Sequence, residues 1–161
     1  MNTHPWLHSL YVGKPKQITD SIGTWVSSIH RDRVEGSAQV TPTGLVGDGN
    51  ALPHHGKPDA AICVYLNSSY RFWKSKYGFD FQPGQFGENF VLEGLDESDL
   101  CVGDVVAVGS VKLILTGQRI PCANLSRWLG VADFHQLATR ESLTGCYYAV
   151  LEPGSVKAGD G

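Results

Sequence analysis

Cys122 has the best setting for chemistry in this chain. It lies in GQRIPCANLSRWLG, directly after Pro121 and three residues after Arg119. Pro121 discourages further strand pairing because it has no N–H to give to a ladder. A short helical turn can begin near Cys122, where orphan N–H groups would stabilise a thiolate and Arg119 would add positive charge. Such a thiolate can attack sulfur, carry a persulfide or bind a soft metal. A buried structural thiol has the same residue type, and spacing alone does not separate the two readings.

The other three cysteines fit structural roles better. Cys63 lies inside the apolar run DAAICVYL (59–66), Cys101 precedes the turn Val102-Gly103-Asp104, and Cys146 opens a strand after Gly145. Free cysteine is among the most buried residue types. No CxxC occurs, so the usual zinc spacing is missing.

A second candidate is the loop His54-His55-Gly56-Lys57-Pro58-Asp59. Histidine can ligate metal, donate to phosphate or shuttle protons. Asp59 can orient a ring or cap a turn, and a solvated turn explains the loop as well. Phe86-Gly87-Glu88-Asn89 offers a carboxylate and an amide at a strand start. An amide can read a pterin edge, and glycine lets a ligand approach the backbone; a tight turn needs the same residues. Gly44-Leu45-Val46-Gly47-Asp48 has neither the GxGxxG nor the GxxxxGK[ST] spacing of a phosphate loop.

The elements that must position these residues are short. LHSLYVG (7–13) and GTWVSSIHR (23–31) read as strands, the second with Trp25, Ser27 and Ile29 on one face and Val26, Ser28 and His30 on the other. The run 59–66 suits a strand buried on both faces. Tyr70, Trp73 and Tyr77 recur at helical spacing, with Asn67 or Ser68 to cap the start and Gly78 to end the helix. ENFVLEG, DVVAVG and SVKLILTG return to strand, the last two joined tightly at Gly109-Ser110. A second helix is expected after Asp133, with Phe134, Leu137 and Ala138 on one face. Tyr147 to Leu151 is the last expected strand, followed by a Pro153-Gly154 turn and no terminal element. Strands outnumber helices, which predicts a mainly β domain with a few α-helices.

The 161 residues predict one domain, and 13 basic against 16 acidic residues give a net charge of −3. That balance gives no general reason to expect nucleic acid or an anionic membrane as partner. No apolar run approaches the ~18 residues of a membrane span, and the N-terminal stretch lacks the apolar core of a signal peptide. A cytoplasmic protein with reduced thiols is the expectation.

In this order, GLVGD (44–48), HHGKPDAAIC (54–63), FGENF (86–90), VGD (102–104) and QRIPCANL (118–125) resemble the MOSC domain family. The name stands for molybdenum cofactor sulfurase C-terminal, and the nearest type is the bacterial one linked to 6-hydroxylaminopurine resistance. The resemblance runs over roughly residues 20–155. It implies a β-barrel-like MOSC fold and a molybdopterin-type molybdenum cofactor, and the family is also associated with pyridoxal phosphate. It implies that Cys122 is the catalytic residue and ligates molybdenum. His55, Asp59, Glu88, Asn89 and Arg119 would line the pocket, with Lys57 and Arg119 toward the cofactor phosphate. Reduction of N-hydroxylated small molecules would follow, with electrons from a separate donor protein. A persulfide on Cys122, loaded by a cysteine desulfurase, and a non-catalytic pterin or anion module are the alternatives.

Three departures bear on cofactor binding. The first loop reads His-Gly-Lys-Pro-Asp where relatives commonly have His-Gly-Gly-Pro-Asp, and Ala60 stands at a frequent arginine position. Asn124 stands where lysine or arginine is commoner. Relatives also often continue into a small C-terminal helical region, whereas this sequence ends at AGDG.

Overall fold

The structure is a computed structural model and describes residues 4–49 and 57–161. The chain opens with β1 (Trp6–Val12), the hairpin β2 (Lys16–Thr19) and β3 (Thr24–Ser27), then the short β4 (Asp32–Arg33), β5 (Ala38–Thr41) and β6 (Gly44–Leu45). A 3-10 turn at Pro58–Ala60 leads into β7 (Ile62–Leu66), α1 (Asn67–Tyr77) and β8 (Phe90–Glu93). A further 3-10 turn (Glu97–Asp99) precedes β9 (Val105–Val108) and β10 (Val111–Gln118). The helices α2 (Ala123–Leu129) and α3 (Phe134–Arg140) follow, then β11 (Cys146–Glu152) and β12 (Gly154–Val156).

β7 is the centre of the fold. All five of its residues are buried, as a continuous apolar run should be when both faces of a sheet are covered. It lies in a seven-stranded sheet of order β4-β1-β8-β7-β11-β10-β9. β7 and β8 run parallel, and α1 makes the crossover that parallel neighbours require. Gly78 ends α1 in the left-handed conformation at φ 73°, where a side chain would be strained.

Alternation along β7 and β8 feeds two cores. Ile62, Val64, Leu66, Phe90 and Leu92 face one cluster, shared with Val40, Leu45 and Val156 of the small sheet β12-β5-β6. Tyr65 and Val91 face the other, where Tyr70 and Trp73 of α1 meet Phe86, Leu125 and Phe134. Phe86 stacks against Tyr70 at 5.0 Å and meets Tyr65 edge-on at 4.6 Å, which anchors the loop before β8.

The fold is mainly β with three helices among the described residues, as the sequence predicts. Among the described residues the large sheet does not close into a barrel. β4 and β9 are the edges of the large sheet, and β12-β5-β6 forms a separate sheet that covers one face. Two expectations about single segments are corrected. The strand at 23–31 ends at Ser27, because Ser27 Oγ accepts the Ile29 N–H at 3.1 Å and bends the chain. Ser28 and Ile29 are then both buried, and strict alternation is lost. The C-terminal stretch is also not a bare turn. β12 pairs with β5, and Leu7 exchanges backbone hydrogen bonds of 2.7 Å with Gly159 and Asp160.

Candidate functional site

A cavity of about 640 Å³ opens where three stretches converge: residues 26–31 after β3, 41–48 around β6, and 118–125 between β10 and α2. Cys63 of β7 and Tyr147 of β11 contribute from the large sheet, and Ala61 and Asn89 from the residues just before β7 and β8. Val26, Val46 and Ile120 also line it and are 59%, 59% and 89% exposed, so its mouth has an apolar rim.

Cys122 lines this cavity as the N-cap residue of α2, with an extended backbone (φ −114°, ψ 174°). It is exposed, and its side chain makes no capping hydrogen bond. α2 has only seven residues, so the turn expected near Cys122 is present but short. Arg119 lines the same wall. Its backbone N–H bonds Gly145 O at 2.9 Å, and its Nη1 donates to the Phe86 carbonyl. Burial works against its charge, but the acidic groups around it outweigh that and raise its basicity, so the guanidinium stays charged.

Cys63 is buried in β7 as expected, and it also lines the cavity. Burial pushes its thiol pKa up, which keeps it protonated and a poor nucleophile. Burial likewise raises the Tyr147 phenol, with Cys63 adding to the effect and Arg119 opposing it. The cavity thus combines one exposed thiol, one buried neutral thiol and one neutral phenol.

Asn89 sits in the wall but is spent on the protein. Its Oδ1 accepts the Cys63 N–H at 3.0 Å, and its Nδ2 donates to Asp48 Oδ2 at 2.8 Å and Tyr11 O at 3.3 Å. Both amide donors are therefore occupied. Glu88 does not line the cavity. It is fully buried behind it, accepting Gly84 N–H at 2.7 Å, Phe86 N–H at 3.0 Å and the Tyr70 hydroxyl. Burial raises its carboxyl pKa, and the Tyr70 and Gly84 bonds only partly offset that. Glu88 shapes the loop that carries Gly87 and Asn89. At Gly87, φ is 76° and an added Cβ would press on Ile29 at 3.1 Å, so the FGEN turn needs glycine there.

Lys57 and Asp59 are exposed and are not in the described lining. Their carbonyls hold local structure, Lys57 O accepting from Ala60 N at 2.8 Å and Asp59 O from the Thr116 hydroxyl. His54 and His55 lie outside the described residues.

Sequence reasoning missed Arg31, Ser28 and Asp48. Arg31 Nη1 pairs with Asp48 Oδ1, with 9% and 13% of the two side chains exposed. Asp48 Oδ1 also accepts the Gly13 N–H at 2.9 Å. Arg31 Nε and Ser28 Oγ are buried without a hydrogen-bond partner, and both residues line the cavity. Asp48 ends the quoted GLVGD stretch, so a signal for it was present. Arg31, in HRDR, had none. Among the described residues no group of three His, Cys, Asp or Glu converges to hold a metal. No helix among them is long and apolar enough to cross a membrane.

Residues 51–161 match the MOSC domain family. The chain is 32% identical over 152 residues to an uncharacterized protein of Bacillus subtilis, YflK, covering 94% of this chain and 69% of that one. It is 33% identical over 136 residues to protein YiiM of Escherichia coli, covering 82% of this chain and 61% of that one. A protein of Gibberella moniliformis named a reductase is 26% identical over 142 residues, which are 86% of this chain and 25% of that one. The crystal structure of YiiM from Geobacillus stearothermophilus superposes with a TM-score of 0.78 at 29% identity, covering 98% of this chain and 73% of that one.

Proposed function

This chain belongs to the MOSC domain family, and we propose on that premise that its cavity binds a molybdopterin-type molybdenum cofactor for reduction of N-hydroxylated small molecules. The observation that carries the reading is the meeting of an exposed thiol, Cys122, with two guanidinium groups, Arg31 and Arg119, in one cavity of about 640 Å³. The donor set fits such a group: a soft thiolate suits molybdenum, and cations suit a phosphate. Two buried polar atoms without partners, Ser28 Oγ and Arg31 Nε, border the space where it would lie. The similarity to a protein named a reductase supports redox chemistry.

Bound, the cofactor supplies the electron and oxygen-atom chemistry, and the protein binds, orients and shields it. Cys122 would hold the metal through its sulfur. Arg119, tied to Phe86 and Gly145, presents fixed positive charge to the same cavity. Cys63 and Tyr147, kept protonated by burial, leave Cys122 as the nucleophilic sulfur of the cavity. The apolar rim at Val26, Val46 and Ile120 sheds water from an entering organic substrate. Electrons would come from a separate donor protein. Pyridoxal phosphate fits less well, since it works from a lysine amine and the described lining holds no lysine.

The exposure of Cys122 also favours sulfur transfer. In that reading its thiolate attacks the outer sulfur of a desulfurase persulfide, the desulfurase cysteine leaves as thiolate, and Cys122 keeps the sulfur. A pterin or anion module without turnover would use the same cavity.

The deciding experiment is molybdenum and pterin content after expression in a cofactor-producing host, wild type beside Cys122→Ser. Near-stoichiometric molybdenum lost in the variant supports the cofactor reading. Wild type without molybdenum, but with one added sulfur on Cys122 after desulfurase treatment, replaces it with sulfur transfer.

A further inference from the structure

We propose that the Tyr147 hydroxyl is the proton donor of this cavity: it hydrogen-bonds the nitrogen-bound oxygen of an N-hydroxylated ligand and protonates that oxygen as the N–O bond breaks. The assignment deepens the reductive reading and rests on it for the reaction, while recognition of the oxygen stands on the cavity alone.

Strand pairing turns Tyr147 toward the cavity. β11 lies between β7 and β10, and Tyr147 is opposite Cys63 on one side and Gly117 on the other. Its chain neighbours Cys146 and Tyr148 belong to the core shared with the small sheet. Alternation along a strand puts Tyr147 on the other face, the face of its cross-strand partner Cys63. Both residues line the cavity. The phenol is within electrostatic reach of Cys63 on β7, of Arg119 and Cys122 between β10 and α2, and of Arg31 after β3. These groups come from three sides of the cavity, so the phenol oxygen sits among them. Tyr147 is only partly buried, and no described residue accepts its hydroxyl proton, whereas Tyr65, Tyr70 and Tyr77 donate theirs to Leu143 O, Glu88 and Glu141.

Reduction of an N–O bond consumes protons, and few groups in the described lining can supply one. Its ionisable side chains are Arg31, Asp48, Cys63, Arg119, Cys122 and Tyr147. A guanidinium does not give up its proton in a protein. Both Asp48 oxygens are engaged, one by Arg31 and Gly13 N–H and the other by Asn89 Nδ2. Cys63 is 8% exposed, and a thiol is a weak hydrogen-bond donor. Cys122 is the thiolate of the metal site. Tyr147 is the acid that remains, and burial keeps it protonated, with Cys63 adding to the effect and Arg119 opposing it.

In the step, a compound R–NH–OH takes up two electrons, supplied by the donor protein through the bound cofactor. The N–O bond breaks, and Tyr147 gives its proton to the departing oxygen, which leaves as water. The nitrogen takes a second proton from solvent and becomes R–NH2. The phenolate left on Tyr147 is favoured by the Arg119 charge and recovers its proton from solvent. Two electrons and two protons are consumed, and one water is formed.

Tyr147→Phe removes the hydroxyl and keeps the ring, so its melting temperature should match wild type. The first test uses the purified chain without cofactor, with N-phenylhydroxylamine and aniline as probes in calorimetry. Wild type is expected to prefer the hydroxylamine about tenfold, the size of one hydrogen bond. Tyr147→Phe should bind both compounds equally, with aniline affinity unchanged. The second test follows reduction of N-phenylhydroxylamine by the molybdenum-loaded protein. In Tyr147→Phe, kcat should fall about 100-fold, and KM should rise no more than the loss of binding. The variant must take both protons from solvent, so its rate should drop roughly tenfold per pH unit relative to wild type as pH rises. A merely structural tyrosine would lower the rate equally at every pH.

A wild-type chain that binds the two compounds equally, a Tyr147→Phe chain that keeps the preference, or a loaded variant with wild-type kcat overturns the assignment. Molybdenum content separates this from failure of the reductive reading. Normal molybdenum and normal turnover in Tyr147→Phe remove the proton donor and keep the reductase. A preference for the hydroxylamine that Tyr147→Phe abolishes, in a chain that never takes up molybdenum, keeps Tyr147 as the residue that reads the oxygen and removes the reduction.

Discussion

Asp48 and Asn89, 41 residues apart in the chain, meet through a 2.8 Å hydrogen bond from Nδ2 to Oδ2. The bond joins the GLVGD and FGEN stretches, and both residues reach further. Asp48 holds Arg31 and the Gly13 backbone, while Asn89 holds Cys63 and Tyr11. Much of the cavity wall is therefore one hydrogen-bonded unit.

Breaking that unit at its carboxylate should be expensive. Asp48→Ala leaves the Arg31 charge, the Gly13 N–H and one Asn89 N–H without their acceptor. Removing one partner of a buried pair costs about 3–5 kcal/mol. Urea unfolding is expected to show a loss of that size for Asp48→Ala and a smaller one for Asp48→Asn, which keeps an acceptor oxygen. A loss below about 1 kcal/mol for the alanine variant would place the pair among ordinary surface bridges.

Glu88 is expected to matter for stability rather than for ligand contact. Its two oxygens satisfy Gly84 N–H, Phe86 N–H and the buried Tyr70 hydroxyl. Glu88→Ala strands all three, at about 1–3 kcal/mol each before relaxation. Glu88→Gln keeps one acceptor but points an amide NH2 at backbone donors, so it should rescue only part of the loss. Thermal unfolding of the two variants, with N-phenylhydroxylamine affinity measured on the folded fraction, checks this. An unchanged melting temperature with lost ligand affinity would return Glu88 to the cavity.

The elements with strong local signals were legible in the sequence, and those set by long-range pairing were not. The apolar run at β7, the helical spacing of Tyr70, Trp73 and Tyr77, and the tight turn at Gly109 each carry their own instruction. β5, β6 and β12 are four, two and three residues long and exist because they pair with one another under the large sheet. So short a strand has no periodicity to read. The site divides the same way. Cys122 and Arg119 were found from a local pattern and share the cavity. Arg31 was missed because its role depends on Asp48, 17 residues away, and on a bend that a serine hydroxyl imposes inside an apparent strand. Glu88 and Lys57 were placed in the pocket by motif order alone, which cannot tell which way a side chain faces.

The four cysteines should separate cleanly by reactivity. Cys101 and Cys122 are exposed, while Cys63 and Cys146 are buried. Burial pushes the Cys146 thiol up to about 12, with Glu97 adding to the effect. Brief iodoacetamide treatment of the native protein is expected to add two groups, mapped by mass spectrometry to Cys101 and Cys122. A cavity ligand should then protect Cys122 and leave Cys101 reactive. Equal labelling of Cys63 in the native state would mean that the cavity floor opens freely.

Glu97 sets the expected pH dependence of stability. Its carboxylate accepts Gly145 N–H at 3.1 Å, next to the carbonyl that holds the Arg119 backbone, and Ser69 Oγ donates to it at 3.4 Å. Burial nevertheless dominates and raises its pKa from 4.5 to about 7. The folded state therefore keeps a proton that the unfolded chain releases at lower pH. The stabilisation is fully present below about pH 4.5 and is lost as pH rises toward 7, above which it is gone. A shift of that size corresponds to roughly 3 kcal/mol, at 1.36 kcal/mol per pH unit. Cys146, its titratable neighbour, stays protonated throughout this range. Glu97→Gln keeps an oxygen for Gly145 and cannot ionise, so its stability should be flatter between pH 4.5 and 7 and should exceed wild type at pH 8. Glu88, also raised by burial, acts in the same direction and leaves a residual slope in the variant. Parallel wild-type and variant profiles from urea unfolding at each pH would show that Glu97 ionises normally and that the loop before β11 tolerates its charge.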